Sequence, residues 1–211
     1  MSTTEKLRDW HELRLDSHVP ITVATKNVDK FREIMELWGS FLPAVKIAGP
    51  EYPDVEEHGA TYEENAVLKA SALADLLRGP ALADDSGIEV DALGGQPGVV
   101  SARTPYAGAP SAVRNEHILR AIGTRDRGAR FVSVCALVVP GYQPVIARGE
   151  VRGFVADAPR GGRGFGYDPI FYYTPYDATF GEVDSSRKHA VSHRGRAIRE
   201  LQAILASLVA R

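Results

Sequence analysis

The sequence predicts an α/β fold built on a mixed sheet, and three observations carry that prediction. Short apolar, β-branched runs alternate along the chain with stretches whose apolar residues recur at three- and four-residue steps. Two long apolar strand patterns, residues 130–139 and 144–155, are separated only by the turn Pro140-Gly141-Tyr142-Gln143, which places one antiparallel pair inside the alternation. No internal repeat and no low-complexity linker interrupts the pattern, so residues 20–211 read as a single domain.

The first strand is Ile21-Thr22-Val23-Ala24, after Pro20. Val28, Phe31, Ile34, Met35 and Trp38 then define a helix that stops at Gly39. A less regular stretch with Pro43, Pro50 and Pro53 leads to a second helix, opened by Thr61 with Glu64 three residues later in capping-box form and closed at Gly79-Pro80. Ala81-Leu82-Ala83 and Ile88-Glu89-Val90 read as strands flanking a turn, Asp84-Asp85-Ser86-Gly87. A loop at Gly94-Gly95-Gln96-Pro97-Gly98 precedes a helix from Ser111 to its stop at Gly123. After the two long strands, a Gly-rich loop over 161–169 leads into Ile170-Phe171-Tyr172, and Ser192 caps a last helix carrying Ile198, Leu201, Ile204, Leu205 and Leu208.

Composition narrows the function classes. With 44% apolar and 25% charged residues the chain is globular in kind and can bury a core without covalent staples. A net charge of −2 argues against a general nucleic-acid coat or a basic membrane-surface protein. No stretch approaches a membrane span. The lone Cys135 sits in an apolar run and reads as a small hydrophobe, which favours a reducing, cytoplasmic setting. Residues 1–19 are charged, without an apolar core for secretion, and read as a solvated arm or short helix that reaches a partner through Trp10.

Four segments carry residues suited to chemistry, each with a plainer reading beside it. Thr25-Lys26-Asn27-Val28-Asp29-Lys30 joins the first strand to the first helix, where backbone N–H groups, a hydroxyl, an amide and Lys30 could bind a phosphate chain. The plainer reading is an ordinary helix start, with Asn27 as cap and Lys30 solvated. The acids Glu56, Glu57, Asp84 and Asp85 could converge on Mg²⁺, or simply make turn and cap hydrogen bonds and face water. Phe165, Tyr167 and Asp168 in the Gly-rich loop could stack on and hydrogen-bond a base, or form a hairpin loop with its aromatics in the core. Lys188, His193 and Arg194 put cations near the start of the last helix, which suits a bound anion or an electron-rich ring.

The motifs occur as ordered blocks: Thr-Lys-Asn-Val-Asp-Lys at 25–30, Glu-Glu-Asn-Ala-Val-Leu-Lys at 63–69, Ala-Asp-Asp-Ser-Gly at 83–87, Leu-Gly-Gly-Gln-Pro-Gly at 93–98, Ser-Ala-Arg at 101–103, Phe-Gly-Tyr-Asp-Pro-Ile-Phe at 165–171 and Ser-His-Arg-Gly at 192–195. In this order they closely resemble the inosine triphosphate pyrophosphatase family, the RdgB-like dITP/XTP purine nucleoside triphosphate pyrophosphatases. The resemblance runs from about residue 21 to 208.

It implies an elongated α/β protein, a mixed twisted sheet with helices on both sides and two lobes flanking a central active-site cleft, usually homodimeric. The implied activity is Mg²⁺-dependent hydrolysis of ITP, dITP and XTP to the monophosphate and pyrophosphate, cleansing the nucleotide pool, with neither a nucleic-acid polymer nor a membrane as partner. By resemblance Thr25, Lys26, Asn27, Val28, Asp29 and Lys30 line the substrate, with Thr25, Asn27 and Lys30 on the triphosphate and Lys69 adding a cation. Asp85 matches the catalytic acid, and Glu57 with Asp85 would hold the metal. Ser86 would touch substrate, and Phe165, Gly166, Tyr167, Asp168, Lys188, His193 and Arg194 would form the base pocket. Two rival readings are a Maf-like pyrophosphatase for other nucleotides and a non-enzymatic nucleotide sensor.

Overall fold

A computed structural model of the protein describes residues 7–50 and 52–209. Residues 1–6 of the N-terminal arm lie outside the described residues. In chain order the elements are β1 (Ile21–Val23), α1 (Val28–Trp38), β2 (Val45–Ile47), α2 (Tyr62–Leu77), β3 (Ala81–Val90), α3 (Ser111–Ile122), β4 (Gly128–Val138), β5 (Val145–Val155), β6 (Phe171–Tyr173), β7 (Ala178–Thr179), α4 (Ser185–Val191) and α5 (His193–Leu205). The strands lie in one open sheet in the order β2-β1-β3-β4-β5-β6-β7. β1 runs parallel to β2 and β3, with Thr22 opposite Lys46 and Ala81. β6 runs antiparallel to β5 and β7, with Tyr172 opposite Phe154 and Thr179. The sheet is mixed, as the alternation of elements predicts.

Local chemistry sets most of the boundaries. Asn27 caps α1, and Thr61 with Glu64 closes a complete capping box on α2. Gly39 and Gly123, with φ of 58° and 59°, end α1 and α3 in a conformation other residues resist. Ser192 Oγ accepts the Gly195 N–H at 3.1 Å and so starts α5 where the sequence places it.

The chain divides into two compact units, one of residues up to 85, 134–147 and from 198 onward, the other of 86–133 and 148–197. The first is cored on small residues: Ala24, Ala70, Ala74, Ala81 and Ala83 pack with Leu73, Tyr52 and Val138. Alanines let α2 approach the strands closely, and that brings its polar side chains within reach of β3. The second is aromatic. Phe131, Phe171 and Phe180 pack within 4.3–6.2 Å of one another, joined by Ile88, Ile118, Val151 and Tyr167.

Four expectations change. Residues 84–87 do not turn, because β3 is one ten-residue strand from Ala81 to Val90. Turn preference is a local bias, and here sheet pairing and buried countercharges override it. β2 lies in the stretch read as irregular, and α4, capped by Asp184, precedes α5. The segment read as a solvated arm or short helix carries a 3₁₀ turn at Trp10–Glu12 but is fixed to the first unit instead of solvated: Leu13 and Leu15 are buried, and Arg8 and Leu15 bridge to Tyr142 and Val209. Among the described residues no helix is long and apolar enough to cross a membrane.

Candidate active site

The first unit gathers charge after β1 and along the middle of β3. After β1, Thr25 Oγ1 accepts the Asn27 N–H, and Asn27 Oδ1 accepts the N–H groups of Asp29 and Lys30, each at 3.0–3.1 Å. This is the helix start of the plainer reading, and it uses two N–H groups that an anion would otherwise take. Lys30 nevertheless is not solvated. Its Nζ lies 2.8 Å from Asp84 Oδ2, a carboxylate almost fully buried. Val28 and Asp29 face water, and Lys26 pairs at the surface with Asp54.

Beside this pair, Lys69 forms a three-way node. Its ammonium donates to Glu57 Oε1 at 2.8 Å, Asp85 Oδ1 at 2.8 Å and the Asp84 carbonyl at 2.9 Å, so all three protons sit on protein oxygens. Burial works against the Lys69 charge, but the Asp85 and Glu57 carboxylates outweigh it and hold its pKa above the usual lysine value. Burial pushes the Asp85 carboxyl up, and the charges of Lys69 and Lys30 offset this only in part. Successive side chains on a strand point to opposite faces, which is why Asp84 and Asp85 take different lysines. Glu56, the fourth acid of the set, is exposed and outside the node.

The second unit arranges cations around an aromatic loop. Asp168 Oδ2 accepts the Phe165 N–H at 2.8 Å and the Lys188 ammonium at 2.6 Å, the latter an ion pair with both side chains nearly dry. The loop can close this way only because residue 164 is glycine: φ is +68°, and a Cβ would lie 2.1 Å from Asp168 Oδ2. Lys188 Nζ and Arg194 Cζ stand 5.1 and 5.7 Å from the Phe165 ring centre. Arg194 also donates to Ser86 Oγ at 2.9 Å. His193 stacks on Phe131, ring centres 4.6 Å apart.

Tyr167 follows the plainer reading instead. Its ring belongs to the aromatic core and its hydroxyl donates to the Ser101 carbonyl at 2.8 Å. Burial pushes its pKa up to about 12, only partly opposed by Arg114. Gly166, between Phe165 and Tyr167, takes φ +64° and lets the two rings diverge. The first cluster therefore contains Lys30, Glu57, Lys69 and Asp85; the second contains Ser86, Phe165, Asp168, Lys188 and Arg194. Asp85 and Ser86 are consecutive residues of β3.

Two polar residues in the first cluster were absent from the family-matched site. Asp84 is the partner of Lys30, and Asn65 Nδ2 lies 3.4 Å from Asp85 Oδ2. A signal for Asn65 existed. It stands four residues before Lys69, so both share one face of α2, and a helix face that buries two polar residues needs polar partners.

The two carboxylates can be tested against a divalent cation from their own geometry. Glu57 and Asp85 each aim an oxygen at the Lys69 ammonium from 2.8 Å, so they already converge on a single positive charge. Mg²⁺ is commonly held by one or two carboxylates, with water and substrate phosphates completing its shell. The donor set fits. Among the described residues no three His, Cys, Asp or Glu side chains form a cage that would hold a metal without substrate.

Comparison with known proteins places the chain in a family. The profile of the Ham1 family matches residues 21–204. The chain is 47% identical over 189 residues to a dITP/XTP pyrophosphatase of Syntrophobacter fumaroxidans, spanning 88% of this chain and 81% of that protein. It is 45% identical over 193 residues to a dITP/XTP pyrophosphatase of Bacillus anthracis, spanning 86% and 94%. Its fold is similar to that of a HAM1 protein from Coxiella burnetii, with TM-score 0.80 and 39% identity over 89% of this chain and 98% of the other.

Proposed function

This chain belongs to the Ham1 family, and on that premise we propose how its own residues do the work of the enzyme. The reaction is hydrolysis of deaminated purine nucleoside triphosphates (ITP, dITP, XTP) to the monophosphate and pyrophosphate. The observation that carries the assignment of residues is the Lys69 node, with Glu57 and Asp85 2.8 Å from one ammonium and the Lys30–Asp84 pair beside it.

Phosphoanhydride hydrolysis asks the protein mainly for positioning and charge stabilisation. Lys30 neutralises the triphosphate, with Thr25 and Asn27 at the start of the same helix. Lys69 keeps two like-charged carboxylates together so that their oxygens remain aimed at one point. Glu57 and Asp85 would hold Mg²⁺, which when bound supplies further neutralisation of the phosphate oxygens. Asp85 accepts the proton of the attacking water as the bond between the α- and β-phosphates breaks. The heterocycle falls to Phe165, Lys188 and Arg194, with His193 stacked on Phe131. Donor-rich side chains suit the 6-oxo group of a deaminated purine and oppose the 6-amino group of adenine.

Release of pyrophosphate measured with ITP, XTP, GTP, ATP and dTTP, with and without Mg²⁺, tests the reading. ITP and XTP should be preferred and activity should vanish with a chelator. Equal rates on all five would refute the selectivity assignment, and preference for dTTP would favour the Maf-like rival. The family resemblance also supports a homodimer, which light scattering at two protein concentrations would register.

A further inference from the structure

We propose that Asn65 is a positioning residue, which through its side-chain amide holds Asp85 and the Glu57 loop in register. The inference rests on the assignment of Glu57 and Asp85 above. Asn65 is completely buried on α2. Its Oδ1 accepts the Gly59 N–H at 2.8 Å, and its Nδ2 lies 3.4 Å from both the Gly59 carbonyl and Asp85 Oδ2. The amide can face only this way. The Gly59 N–H needs an acceptor, which fixes Oδ1, and the two protons of Nδ2 then meet two oxygens that cannot donate.

The three contacts tie together pieces of chain that nothing local would align. Gly59 is two residues beyond Glu57, in a segment without regular structure, whereas Asp85 is in the middle of β3. Lys69, one helical turn along α2 from Asn65, grips the same two acids by charge. An ammonium can rotate about its stem and fixes no plane, whereas the planar amide constrains the other oxygen of Asp85 and the backbone that carries Glu57. The packing leaves no slack. A Cβ at Gly59 would lie 2.7 Å from Asn65 Oδ1 and 2.7 Å from Glu64 Cβ. Groups that orient metal-binding or catalytic carboxylates typically matter by about 10–100-fold in activity or metal affinity.

The test compares the wild type with Asn65→Ala, Gly59→Ala and Asp85→Asn in ITP hydrolysis, together with calorimetric titration of Mn²⁺ into the proteins saturated with a non-hydrolysable ITP analogue. Asn65→Ala should lower kcat about 10–100-fold with KM for ITP within about threefold, and should weaken Mn²⁺ binding about tenfold. In the Asp85→Asn background the same substitution should change Mn²⁺ binding less than about twofold, because the carboxylate it serves is gone. Gly59→Ala keeps the amide but displaces it, and should lower kcat at least about tenfold; it decides the matter if Asn65→Ala does not fold. A kcat for Asn65→Ala within about threefold of wild type, or an undiminished effect in the Asp85→Asn background, overturns the inference. If Asp85→Asn itself turns over ITP within about tenfold of wild type, the assignment of Asp85 is wrong and the role of Asn65 falls with it.

Discussion

The Lys69 node and the Phe165 loop are held together by different physics. At the node, five charged side chains project from two helices, a strand and a short loop, with N···O distances of 2.8 Å throughout. At the loop, one buried ion pair, Lys188 with Asp168, fixes the backbone of Phe165, and cations approach a ring face instead of an anion. Rigid elements suit a polyphosphate, whose charge is the same in every nucleotide. A glycine-dependent loop with donors round an aromatic suits the heterocycle, the part of the substrate that differs. Catalytic power should therefore reside in the node and discrimination in the loop.

The largest effect expected is from Asp85→Asn, which keeps shape and removes the proposed proton acceptor. It should lower kcat about a thousandfold, roughly 4 kcal/mol of barrier, with KM for ITP within a few-fold. A loss confined to KM would break the comparison at its root. The two paired lysines, Lys30 and Lys188, sharpen it. Lys30→Met removes the ammonium beside a buried carboxylate, and should raise KM for all nucleotides alike by at least about tenfold while costing about 3 kcal/mol of stability in urea unfolding. Lys188→Met should cost stability on a similar scale, but its kinetic mark should be a fall of about tenfold in the preference for ITP over ATP. If both variants move all substrates equally, node and loop do not divide the labour.

Smaller changes probe the supports. Tyr167→Phe removes the bond to Ser101 and should cost about 1 kcal/mol at neutral pH, with little change in kcat. Burial raises Tyr167 from 10.0 to about 12 in the folded protein. The contribution of its neutral phenol is therefore complete below pH 10 and is lost as pH rises through about 12, so the variant should show a shallower alkaline decline in urea midpoint. Least of all, Lys26→Ala breaks an exposed pair with Asp54 and should change stability and kcat/KM by about 0.5 kcal/mol or less. A larger effect would mean that the outer face of the 25–30 loop meets substrate.

Elements whose cause is local were legible in the chain. The capping box at Thr61 and Glu64, the Asn27 cap, the glycine stops at 39 and 123 and the cap at Ser192 all act within a few residues, and each appears where its residues stand. The ordered motif blocks likewise contain Lys69 and Asp85, and the family resemblance added Glu57; the fold brings the three to one point. Where the local rule and the distant partner disagreed, the local rule lost. Asp84-Asp85-Ser86-Gly87 has the composition of a turn, yet it lies in the middle of a strand whose carboxylates meet lysines from α1 and α2.

What the sequence determined by itself was the set of elements, their capping and the chemical inventory of the site, because periodicity and end-capping are short-range and written in neighbouring residues. Only the tertiary structure decided that Lys30 answers to Asp84, that Asn65 reaches Asp85, that Tyr167 belongs to the core and that Phe165 keeps the cations. A buried charge or amide is tolerable only with a partner, and that partner comes from wherever packing brings the chain back, over separations no local pattern records.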